Sequence, residues 1–109
     1  MATALEDVRL HSSGPDVARA VSEPVLLALG ARAGLDVSRL DELALALGIA
    51  IAATVPGPVT TDLRRAGGRV SVTVSPVAHD RVHGRRTLLE GLVASVVADG
   101  DAIALSLDA

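Results

Sequence analysis

Not one Phe, Tyr, Trp or Cys occurs in the 109 residues of this chain, yet half of it is hydrophobic. Any core must be assembled from Leu, Val, Ile and Ala, many small pieces in place of a few large rings. A chain of this length closes one such core, so residues 1–109 are expected to form a single domain. The same absences exclude functions. Without Phe, Tyr or Trp the chain has no broad aromatic face on which to stack a base or cage a cation. Without a thiol there is no disulfide, no thiolate nucleophile and no thiolate metal site. The 10 basic residues are all Arg and stand against 13 acidic ones, for a net charge of −3. That balance lacks the basic footprint of a phosphate-backbone binder, so no nucleic-acid partner is expected.

Hydrophobic spacing gives the elements. Residues 5–11 alternate, with Val8 and Leu10 on one face, as a short strand does. Ser12-Ser13-Gly14-Pro15 is a turn. A helix over 16–33 follows, started by Asp16, with Val17, Ala20, Val21, Val25, Ala28 and Leu29 at helical spacing. Pro24 removes a backbone donor in its middle, which predicts a kink or restart, and Gly34 ends it. Asp36 or Ser38 can cap the next helix through a side-chain oxygen. Leu40, Leu43, Leu47, Ile51 and Val55 then form its buried stripe, and Pro56-Gly57-Pro58 stops it. Its apolar run, Leu43 to Val55, is too short for a bilayer, where about 20 residues are needed. The first ten residues lack the basic and apolar regions of a signal peptide, so no membrane partner and a cytoplasmic location are expected.

Val59, Thr61 and Leu63 then alternate with polar residues, as do Val70, Val72 and Val74. Ala66-Gly67-Gly68 between them supplies a hairpin turn. Pro76 to His83 reads as a charged loop. Leu88, Leu89, Leu92, Val93, Val96 and Val97 read as a third helix closed by Asp99-Gly100, and Ile103, Leu105 and Leu107 as a last strand. The order β-α-α-β-β-α-β, with one apolar face on every strand, predicts a two-layer α+β sandwich with helices on one side of the sheet.

Several short words share this register. They are Ala-Gly-Leu-Asp at residues 33–36, Asp-Glu-Leu-x-Leu-Ala at 41–46 and Gly-x-Arg-Val-x-Val-x-Val at 67–74. In these words and in element order the chain resembles the anti-sigma factors of bacterial partner-switching systems, serine-protein kinases with a histidine-kinase-like ATPase fold. The resemblance implies a mainly antiparallel mixed sheet, a dimer, and a sigma factor or anti-anti-sigma-type protein as partner. It also marks departures. Where the family carries a catalytic Glu and, four residues on, a Mg²⁺-binding Asn, this chain has Ile49 and Ala53. An apolar side chain can neither act as a base nor ligate Mg²⁺, which demands oxygen. The aspartate and glycine-rich loop that hold adenine are replaced by Ser75-Pro76-Val77-Ala78-His79. The expectation is a degenerate member with no cofactor and no kinase activity.

Few other residues could carry chemistry. His79 and His83 have the spacing of a helical metal pair, but three neighbouring arginines would repel a cation, so no metal is expected. Those arginines, Arg81, Arg85 and Arg86, form the one basic cluster. They are either solvated and balanced by Asp80 and Glu90, or a docking patch for an acidic protein surface. Ser71, Thr73 and Ser75 have no placed base and so are no nucleophiles. Gly67-Gly68 precedes no helix and cradles no phosphate. The polar side of the strands offers Arg64, Ser71, Thr73, Ala102 and Ala104 as a flat, weakly polar homodimer interface, where Arg64 is expected to meet Asp62 of a second copy. Two functions stand open: a non-catalytic regulator that binds a protein, or an assembly subunit that oligomerises through this face.

Overall fold

A computed structural model of the chain describes residues 5–109. It contains β1 (Leu5–Ser12), α1 (Pro15–Ala33), α2 (Val37–Ala52), β2 (Val59–Ala66), β3 (Arg69–Ser75), α3 (His79–Leu92), β4 (Ser95–Asp99) and β5 (Ala102–Asp108). The five strands form one sheet in the order β1-β2-β3-β5-β4. All four pairings are antiparallel, so the sheet is not the mixed one expected. The two-layer α+β sandwich is as the alternation predicts. α1 packs across β1, β2 and β3, α2 reaches β3 and β5, and α3 lies against α2 and β4.

The core is continuous between the layers. Leu63, Val72 and Leu105 sit side by side across the sheet, each fully buried, with Leu26, Leu43 and Leu47 above them. Each such side chain contributes about 1.5–3 kcal/mol by leaving water. The turns carry the chain back at the expected places. Gly34 takes φ +97, and its N–H and that of Leu35 satisfy the carbonyls of Ala31 and Gly30, closing α1. Asp36, not Ser38, caps α2, accepting from the Arg39 amide at 2.9 Å.

Three expectations are corrected. First, α1 does not restart at Pro24: it is one continuous helix in which Pro24 is exposed, so the carbonyl it leaves unpaired at Ala20 meets solvent. Its buried stripe is Ala18, Ser22, Leu26, Leu29, Gly30 and Ala33, one position away from the apolar set of the sequence, and Val17 and Val21 are exposed. That stripe includes Ser22, whose hydroxyl lies 2.7 Å from that of Thr61 on β2 and is thereby satisfied in the core. Second, α2 ends at Ala52, and Val55 lies beyond it. Third, α3 starts earlier, at His79, and stops at Leu92, where Val93 turns extended. Its start has no side-chain cap; it is tied to the end of α2 instead, where the Ala78 amide donates to the carbonyl of Ala53 and the Arg81 guanidinium to that of Thr54. The residues read as the end of that helix form β4, an additional strand.

Candidate functional site

Alternation puts every second strand residue on the sheet face that no helix covers. The pairing register lines these residues up in rows across all five strands. One row reads Arg9, Asp62, Thr73, Ala104, Val97, and the next Asp7, Arg64, Ser71, Ser106, Ser95. Both rows change character at the same line. On β1 and β2 they are charged, and on β3, β5 and β4 they are small hydroxylated or aliphatic residues.

The charged half is satisfied within the chain. Arg9 grips Asp62 with two hydrogen bonds of 2.8 and 3.0 Å, and Arg64 donates to Asp7 at 2.9 Å. Hydrogen bonding to Asp62, reinforced by its charge, raises the Arg9 pKa. Within the chain Arg64 and Asp62 thus each hold a cross-strand neighbour, Asp7 and Arg9. The four side chains bound a shallow depression of about 190 Å³ whose far wall is Ser71 and Thr73. Those two also wall a second depression of about 220 Å³, which runs on over Ala104, Ser95 and Val97. Arg69 folds over this half and donates to Ser106 at 2.8 Å. Val97 stands 52% exposed in it, an uncovered aliphatic on a flat surface.

Of the residues expected on this face, Arg64, Ser71, Thr73 and Ala104 are brought together, and Ala102 lies toward its rim at the β4–β5 turn. Arg9 and Asp62, also expected on this side, are there too, whereas Asp7, Arg69, Ser95 and Val97 belong to it and were missed. The β-branched pair Val96-Val97 ahead of the Asp99-Gly100 turn is the signal for the last two.

The basic cluster is dispersed. Arg81 is turned toward the end of α2, Arg85 donates to the carbonyl of Arg81 at 3.1 Å, and Arg86 pairs with Glu90 at 2.9 Å while reaching the carbonyl of Val96 at 3.2 Å. His79 and His83 share one side of α3 with Arg86. The three line a depression of about 250 Å³ with Val82 and with Ala98 of β4. Among the described residues no three His, Asp or Glu side chains converge as a metal-ligand set. Ile49 packs against the core, and Ala53 is buried at the C-terminus of α2, so each methyl faces protein.

No helix among the described residues is long and apolar enough to cross a membrane. Comparison with protein-family models and with curated proteins finds no match for this chain.

Proposed function

We propose that this chain is a non-catalytic, cytoplasmic protein-binding regulator that acts as a homodimer through the uncovered sheet face. The observation that carries the reading is the pair of rows described above. Their charges cancel within the chain, and their other half offers small side chains and one exposed valine. Such a surface does not attract a strongly charged ligand. It suits a flat, equally neutral protein surface, and a copy of itself is the simplest one. The resemblance to anti-sigma factors supports a sigma factor or an antagonist protein as the further partner.

Light scattering tests the face. The unmodified chain is expected to be dimeric at tens of micromolar, and Thr73→Glu with Ala104→Glu monomeric and folded. A monomeric unmodified chain would sink the reading. The reading also expects no binding of Mg-ATP, since Ile49 and Ala53 supply neither base nor ligand oxygen; a micromolar dissociation constant by calorimetry would restore the kinase alternative. An assembly subunit would use the same face but bind nothing beyond itself, which co-purification from the native cell distinguishes.

A further inference from the structure

We propose that the groove between α3 and the edge strand β4 takes an acidic, extended segment of a partner protein, which adds to the sheet as a sixth strand. The inference rests on the reading of the chain as a protein-binding module and names the chemistry of what it binds at a second place.

The two edges of the sheet differ. β1 presents Glu6, Asp7, Arg9 and His11, the charges that keep edges from pairing. β4 reads Ser-Val-Val-Ala-Asp, with no proline and one charge at its end. The tight turn Gly100-Asp101 joins β4 to β5 and pairs Asp99 with Ala102. From that closing pair, antiparallel geometry turns both backbone groups of every second residue outward, which selects Ala98 and Val96. The contact from Arg86 to the Val96 carbonyl has the same direction, since α3 lies beside the edge. Arg86 thus occupies one acceptor of a ladder that is otherwise open among the described residues.

The wall facing this edge is the His79, His83 and Arg86 side of α3, with Val82 buried beneath it. A strand added beside β4 would point alternate side chains toward that wall and the others toward the Val97 side. Acidic residues fit the first set, where they meet Arg86 and the imidazole N–H groups. Small apolar residues fit the second. The acids near the groove are Asp80 in the first turn of α3, Glu90 on Arg86, and Asp99 at the end of β4. A bound carboxylate would take over Arg86 from Glu90. An edge strand with a facing helix is a recurrent way of gripping a peptide, in which backbone bonds give affinity and alternate side chains give specificity.

The test uses two capped pentapeptides, alternating Glu-Val and alternating Arg-Val, titrated into the full chain and followed by amide NMR. The acidic peptide is expected to bind at least tenfold more tightly and to slow hydrogen exchange at Val96 and Ala98, leaving Val97 unchanged. Arg86→Glu should reverse the preference, and Ala98→Pro, which removes an edge donor, should abolish the exchange effect. Should Ala98→Pro fail to fold, Arg86→Glu carries the test alone. Equal affinity for the two peptides, or no slowing at Val96 and Ala98, overturns the groove. Light scattering on the same sample reports the outer face, so a dimer that binds neither peptide overturns this proposal and leaves the binding-module reading intact.

Discussion

Ser22 and Thr61 carry the two hydroxyls that are fully buried among the described residues, each the partner of the other. Their bond ties α1 to β2 and fixes which stripe of α1 turns inward. Removing one hydroxyl strands the other. Thr61→Val is therefore expected to destabilise the chain by about 1–3 kcal/mol, and Ser22→Ala combined with Thr61→Val by less than the single change, because no unpaired group remains. Denaturant melts of the four variants check this, and an additive cycle would show that the two hydroxyls do not depend on each other. The sequence hid the pair. A serine between apolar residues reads as solvent-facing, and only the fold shows that Thr61 stands opposite.

At the scale of elements, Glu6 joins three of them. It accepts from Arg65 on β2 at 2.7 Å and also pairs with Arg32 in the last turn of α1. The hydrogen bond from Arg65 is the main cause that lowers its pKa. A carboxylate whose pKa is lower in the folded state stabilises above its unfolded value and loses that contribution as pH falls through the folded one. Stability should therefore decline below about pH 4.3, and Glu6→Gln should flatten that part of the profile; identical acid profiles for the two proteins would remove Glu6 as a cause.

Element boundaries also show where the sequence was legible. β2 and β3 were plain because Val70, Val72 and Val74 alternate without exception and Gly67, at φ +60, makes their turn. The outer-face residues on these strands followed from the same alternation. β4 was not legible, since Leu92, Val93, Val96 and Val97 satisfy helical spacing as well as a loop followed by a strand. The β-branched valines and Asp99-Gly100 favour the hairpin, and pairing with β5 decides it. The groove beside β4 could not be seen before that strand was.

At the scale of the whole molecule, a core without rings is built from aliphatic side chains interdigitating between two layers, and the sheet is left with one bare side. In the dimer proposed above, the pre-paired charges on that side would govern how two molecules find each other. Arg9, Asp62, Arg64 and Asp7 cancel within a few ångströms, so little field extends beyond a Debye length. Encounter is then unsteered, with association near the 10⁵–10⁶ M⁻¹s⁻¹ of neutral partners and almost indifferent to salt. For a pair that meets at such a rate, how long the complex lasts is set by dissociation. In the proposed dimer, the amount formed in a cell would then follow the abundance of the chain more than its ionic surroundings.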